Sequence, residues 1–125
     1  MIIEDEPDTA EMYAEMMRIS GYEVVKFFGG LPAIDQLQDQ NADAIVLDLM
    51  MPDLSGLEVL HYIQNQPDLA QLPVVIVSAK TLPEDIAEGL KAGAIAYLTK
   101  PVSYAEMRKI IEQAVTGTSK TQGEN

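Results

Sequence analysis

Short apolar runs alternate along the chain with stretches in which apolar residues recur at helical spacing, the pattern of β/α units wound around a parallel sheet. Five such units follow. Ile2-Ile3 is the remnant of a first strand, and Met12, Ala14, Met16, Met17 and Ile19 mark the buried side of a first helix that ends at Ser20-Gly21. Gly21 is free to take the left-handed conformation that stops a helix. Tyr22 to Phe28 reads as strand 2, Leu31 to Leu37 as a short helix 2, Ala44 to Asp48 as strand 3 and Gly56 to Asn65 as helix 3. Strand 4 is Pro73 to Ser78, helix 4 Leu82 to Ala92 with Gly93 as its stop, strand 5 Ile95 to Thr99 and helix 5 Tyr104 to Val115. Asp8 with Glu11, Ser55 with Glu58, Thr81 with Glu84 and Ser103 with Glu106 have capping-box spacing, which predicts four of the helix starts. Gly29-Gly30 lacks the spacing of a nucleotide-binding loop and reads as a turn.

Strands 3 and 4 are apolar on both faces and belong in the middle of the sheet. Strand 1 must be central as well, yet Met1-Ile2-Ile3 is shorter than the roughly five residues usual there. Strand residues missing upstream of Met1 would account for this. The 125 residues, 47% hydrophobic, suffice for one core, so residues 1–115 read as one domain. The polar stretch 116–125, without a large apolar residue, reads as a flexible tail or cut linker.

A net charge of -12 repels nucleic acid phosphates and argues against direct binding to nucleic acid. The absence of cysteine removes disulfides and thiolate chemistry and fits a reducing, cytoplasmic setting. No stretch approaches the roughly 20 apolar residues of a membrane span, and Glu4-Asp5-Glu6 come too early for a signal peptide.

Candidate chemistry sits at the predicted strand ends: Glu4-Asp5 after strand 1, Asp48 closing strand 3, Ser78 closing strand 4 and Lys100 after strand 5. In an open doubly wound sheet, ligands bind at the carboxyl ends of the strands where the winding reverses. With strand order 2-1-3-4-5, Glu4 and Asp5 meet Asp48. Three carboxylates in one pocket call for a hard dication or an ammonium group, which Mg2+ and Lys100 would supply. A carboxylate so neutralised can act as nucleophile toward phosphorus, with Lys100 and the Ser78 hydroxyl on the equatorial oxygens.

The pair Glu4-Asp5 with Glu6-Pro7, the run Asp48-Leu49-Met50-Met51-Pro52-Asp53 with Ser55-Gly56, Ser78-Ala79, Gly93-Ala94, Tyr97 and Lys100-Pro101 occur in one order and spacing. Through them almost the whole chain closely resembles the receiver domain of bacterial two-component response regulators, the group that includes the chemotaxis regulator. The resemblance implies a flavodoxin-like doubly wound α/β fold, a five-stranded parallel sheet of order 2-1-3-4-5 with five helices. It implies that Asp48 accepts a phosphoryl group from a sensor histidine kinase or phosphotransfer protein. It also implies Mg2+ held by Asp5, Asp48 and the Met50 backbone carbonyl, with Glu4 contributing through water. Lys100 would pair with Asp48 or the phosphoryl group, and Lys100-Pro101 would be a cis peptide.

Ser78 and Tyr97 would form the switch, and helix 4, strand 5 and helix 5 the face that engages an output domain or protein, with homodimerisation there left open. On this reading the chain is no enzyme beyond its own phosphorylation and dephosphorylation. Glu4 departs from the Asp often found at its position but keeps the charge. Met50 and Lys80 flank the site where the family tunes phosphoryl loss. Alternatives are a magnesium-dependent phosphohydrolase with an aspartyl nucleophile and a pseudo-receiver that only binds partners. His61 on helix 3 has no second ligand at metal spacing and receives no role; Met12, Met16 and Met17 read as core filler, and Asp53 as a stabiliser of the loop before helix 3.

Overall fold

The computed structural model describes residues 1–117. In chain order the elements are β1 Ile2–Ile3, α1 Pro7–Ile19, β2 Lys26–Phe27, α2 Gly30–Gln40, β3 Ile45–Asp48, α3 Gly56–Gln64, β4 Val74–Ser78, α4 Pro83–Lys91, β5 Ala96–Thr99 and α5 Tyr104–Thr116. All strand pairs are parallel and the order is β2-β1-β3-β4-β5. The expected fold class is what the chain adopts. Winding reverses between β1 and β3, so the ends of these two strands open a crevice there.

Two apolar layers flank the sheet. On one face Ile2, Val46, Val75 and Val77 pack against Ala10, Tyr13, Ala14 and Met17 of α1 and Met107 and Ile111 of α5. On the other, Ile3, Ile45, Leu47, Val74 and Ile76 meet Ala33 and Leu37 of α2 and Val59, Leu60 and Ile63 of α3. Strand residues alternate between the two layers because successive side chains of a strand point to opposite faces. β1 is held on both sides despite its length: Ile2 N donates to Val25 O at 2.8 Å, Glu4 N to Phe27 O at 3.0 Å, and Val46 N to Met1 O at 2.9 Å.

Several expectations need correction. Strand 2 shrinks from Tyr22–Phe28 to Lys26–Phe27, because β2 is an edge strand and only Ile2 and Ile3 are available to pair with it. α2 is longer than Leu31 to Leu37, running on until Asn41 takes a left-handed conformation at φ 52. The first helix starts two residues earlier than its proposed box: Glu6 is the N-cap and accepts from Thr9 N at 2.9 Å, with Pro7 in the first turn, so Asp8 and Glu11 form no capping box. α4, by contrast, has no side-chain cap; Leu82 precedes Pro83, whose fixed φ suits a helix start, and Thr81 takes no part. The boxes at Ser55 and Ser103 are present with both of their hydrogen bonds.

The buried stripe of α1 is partly the expected one: Ala14 and Met17 are buried and Met16 is partly buried against the same layer. Met12 and Ile19, expected to be buried, are 47% and 73% exposed, and Ala10 and Tyr13 face the sheet instead. Small alanines let the helix lie close. Gly21 and Gly93 end α1 and α4 at φ 96 and φ 120. Thr116 closes α5 and Gly117 caps it in the left-handed region; the rest of the expected tail, 118–125, lies outside the described residues.

Candidate functional site

The ends of β1, β3 and β4 and the residue after β5 bring Glu4, Asp5, Asp48, Ser78 and Lys100 to one edge of the sheet. Carboxylate oxygens of Glu4, Asp5 and Asp48 lie within 4.8 Å of one another. Glu4 and Asp48 are only 2% and 4% exposed, so two negative charges are held largely away from water. Lys100 Nζ stands 3.3 Å from Glu4 Oε1 and 3.6 Å from Asp48 Oδ1. Its backbone N donates to Ser78 O at 2.8 Å, which ties β5 to the end of β4, and the Lys100–Pro101 peptide bond is cis.

The Asp48 carboxyl lies above the ordinary carboxylate range, chiefly because of burial, with Lys100 and the Met50 N–H opposing and Asp5 reinforcing the shift. Burial likewise raises Glu4, against the Glu6 N–H and Lys100. For Lys100, burial works against the charge, but Asp48 and Glu4 outweigh it and hold the ammonium more firmly protonated than usual. One cation for three carboxylates leaves the pocket short of positive charge. An all-oxygen donor set with that deficit fits a hard dication such as Mg2+, and Asp5, half-exposed at the mouth, keeps the cluster reachable from solvent.

The loop after β3 is fixed at three points. Met50 N donates to Asp48 Oδ1 at 3.3 Å and Gly56 N to Leu49 O at 2.9 Å. A Cβ at Gly56 would stand 2.4 Å from the Asp48 carbonyl oxygen, so only glycine admits this approach of α3 to β3. Asp53 accepts from Gly30 N at 3.2 Å and Leu31 N at 3.0 Å, capping α2 from across the molecule, and from Leu54 N at 2.8 Å. Its role in stabilising the loop thus extends to a neighbouring helix.

Ser78 is buried, and its Oγ accepts from Lys80 N at 3.1 Å. The Tyr97 hydroxyl donates to Lys80 O at 2.8 Å. Lys80 therefore links the two residues singled out as a switch. Tyr97 packs beside Gly89 of α4, where a Cβ would come within 3.0 Å of the ring. His61 is exposed on α3 and belongs to no acidic cluster among the described residues. Sequence reasoning passed over Tyr13, whose buried ring shares its layer with Val46 and Val102 beneath the site. The helical spacing of Ala10, Tyr13, Ala14 and Met17 was the signal available for it.

A family model described as the response regulator receiver domain matches residues 1–112. The chain belongs to the response regulator receiver domain family. A probable transcriptional regulatory protein TcrX of Mycobacterium tuberculosis is 39% identical over 107 residues, which cover 86% of this chain and 45% of that protein. The polar-differentiation response regulator DivK of Brucella ovis is 32% identical, with 82% of this chain and 84% of that one covered. The chain thus spans less than half the length of the first relative and most of the second. Among solved structures, the receiver domain of the Francisella response regulator 1452 superposes with a TM-score of 0.87 at 31% identity, covering 94% of this chain and 95% of that one. This receiver domain is a component of two-component signalling, and phosphorylation and Mg2+ are general to the family. No helix among the described residues is long and apolar enough to cross a membrane.

Proposed function

We propose that this receiver domain is a phospho-acceptor switch modified on Asp48. The observation that carries the reading is a buried Asp48 in a three-carboxylate cluster within 4.8 Å, with Lys100 at 3.6 Å. An Asp48 oxygen attacks the phosphorus of a phosphohistidine on a sensor kinase or phosphotransfer protein. The new O–P bond forms as the P–N bond breaks, and the imidazole nitrogen takes up a proton. Asp5, Asp48 and the Met50 carbonyl would hold Mg2+, with Glu4 contributing through water, and the ion would supply charge neutralisation for the phosphoryl oxygens. Lys100 neutralises part of the same charge, and the Ser78 hydroxyl contacts a phosphoryl oxygen. Beyond its own phosphorylation and dephosphorylation the domain turns over no substrate.

Moving the Ser78 hydroxyl toward the phosphoryl group would release Lys80 N, and through Lys80 O the Tyr97 hydroxyl. The output face is α4, β5 and α5, where a downstream domain, a partner protein or a second copy would bind. The light anchoring of α4 supports this: among its described residues only Gly89 is fully buried, so little apolar area resists its displacement. We place the folded unit at 1–115 and the protein in the cytoplasm.

Intact mass after incubation with acetyl phosphate tests the reading. Wild type should gain one phosphoryl group only with Mg2+, and Asp48→Asn should gain none. Equal labelling of the variant would overturn the assignment. Multiple turnovers per site would favour a phosphohydrolase instead.

A further inference from the structure

Tyr13 is a large polar side chain under the site to which the chemistry above gives no role. The residue is 2% exposed, and among the described residues its hydroxyl makes no hydrogen bond. Native folds rarely leave a buried hydroxyl unpaired, so a partner is to be sought in what it faces.

Ile2, Val46 and Val102 belong to the same apolar layer as Tyr13. Ile2 lies two residues before Glu4 and Val46 two before Asp48, so both carboxylates project from the face of the sheet that α1 covers. Val102 follows Lys100 by two residues, and the lysine side chain reaches onto this face to meet both acids. Tyr13 therefore lies on the same side of the sheet as the charged cluster. Burial pushes its pKa up and keeps the phenol protonated, Lys100 opposes that shift and Glu4 and Asp48 add to it; Lys100 in turn responds to Tyr13. The hydroxyl thus sits in the field of all three groups.

An ammonium has three N–H donors; Lys100 donates one to Glu4 at 3.3 Å and meets Asp48 only as an ion pair at 3.6 Å, so it has donors left to place. A further carboxylate as acceptor would deepen the negative excess of the pocket. A phenol accepts a hydrogen bond without adding charge. We propose that the Tyr13 hydroxyl is a positioning group for Lys100, accepting one of its remaining N–H groups through one bridging water and so holding the ammonium between Glu4 and Asp48. Bridging waters of this kind hold buried polar groups nearly as well as direct contacts. The inference rests on the reading of Asp48 as acceptor, because it is there that the aim of Lys100 affects a rate.

Two experiments test it. Phosphorylation rates with acetyl phosphate and saturating Mg2+ are compared for Tyr13→Phe, which keeps the ring, with Lys100 present and in a Lys100→Met background. With Lys100 present the substitution should slow phosphorylation about fivefold, the scale of losing one ordinary net hydrogen bond. In Lys100→Met it should change nothing further. No effect in the first background, or equal effects in both, would overturn the proposal.

The second experiment needs no phosphorylation. With 13Cζ-labelled tyrosine the chain gives five resonances, and the one lost in Tyr13→Phe is that of Tyr13. In Mg2+-free protein, Lys100→Met should shift this resonance; an unmoved signal would overturn the link. Should wild type fail to accept phosphate at all, the acceptor reading alone falls, and the resonance still decides whether Tyr13 and Lys100 are coupled.

Discussion

Replacing Asp48 by Asn should stabilise the metal-free fold. Asp48 faces two other carboxylates with oxygens within 4.8 Å, and at an effective dielectric of about 20 each such pair costs roughly 3.5 kcal/mol. Its attraction to Lys100 at 3.6 Å offsets about 4.6 kcal/mol of this. The remainder is about 2 kcal/mol of repulsion, and screening of the half-exposed Asp5 brings it to about 1–2 kcal/mol. The amide nearly preserves the shape and keeps an oxygen for the Met50 N–H. For a domain of this size the gain corresponds to a rise in Tm of about 4–8 °C.

The pH dependence follows from the direction of the shifts. Asp48 and Glu4 both have pKa values raised on folding, mainly by burial, so the native state holds their protons longer than the unfolded chain does. Wild type is therefore relatively most stable below the ordinary carboxylate pKa of about 4 and loses stability as pH rises through the raised values. The advantage of Asp48→Asn should be full at pH 8 and vanish near pH 4. Thermal melts followed by circular dichroism in EDTA measure it, and Mg2+ should raise the wild-type Tm more than that of the variant. A variant that melts at or below wild type in EDTA at pH 8 would refute the claim that the cluster is repulsive.

Other substitutions probe the scaffold. Asp53→Ala removes the cap of α2 and should cost about 1 kcal/mol in urea unfolding at pH 7. Because the N–H groups of Leu31, Gly30 and Leu54 lower its pKa, that difference should persist above the unfolded value of about 3.9 and fade as pH drops through the lower folded one. Gly56→Ala, with its Cβ 2.4 Å from the Asp48 carbonyl oxygen, should destabilise by about 3 kcal/mol or more and weaken Mg2+ affinity by titration calorimetry. In Gly89→Ala the helix gains about 1 kcal/mol of propensity, which crowding of Ile76 Cδ1 at 2.8 Å and Tyr97 Cδ2 at 3.0 Å opposes. Net stability should change little, while the ring resonances of Tyr97 shift; unshifted resonances would mean that α4 has simply moved away.

The sheet and its order were legible because apolar runs ending in carboxylate, hydroxyl or amine place chemistry at strand ends, as Asp48 and Ser78 do. What the pattern misjudged depended on tertiary partners. The extent of β2 is set by the two residues that β1 offers, which no local feature of Tyr22 to Phe28 reveals. Asp53 caps a helix 22 residues earlier in the chain, and α2 carries no cap of its own. In α1, hydrophobicity alone drew in Met12 and Ile19 and passed over Ala10, whereas close approach to a sheet selects small side chains and left Ile19 in solvent. Tyr13 went unnoticed although its neighbours Ala14 and Met17 were in the expected stripe, because Met12 had been given its place on the buried side.

The alternation of strand side chains sorts the site. Ile2 and Val46 share a layer with α1 and α5, so Glu4 and Asp48 are carried on that side, whereas Ile76, two residues before Ser78, and Tyr97 lie in the layer of α2 and α3. On the reading proposed above, the carboxylate pair and the Ser78–Tyr97 pair thus stand on opposite sides of the sheet, with Asp48 and Ser78 on adjacent strands as the junction. On that reading, substitutions in α1 would retune how fast a signal is loaded while substitutions around Tyr97 and α4 would retune how it is passed on. A lineage of duplicated regulators could thereby acquire separate inputs and outputs without rebuilding the chemistry between them.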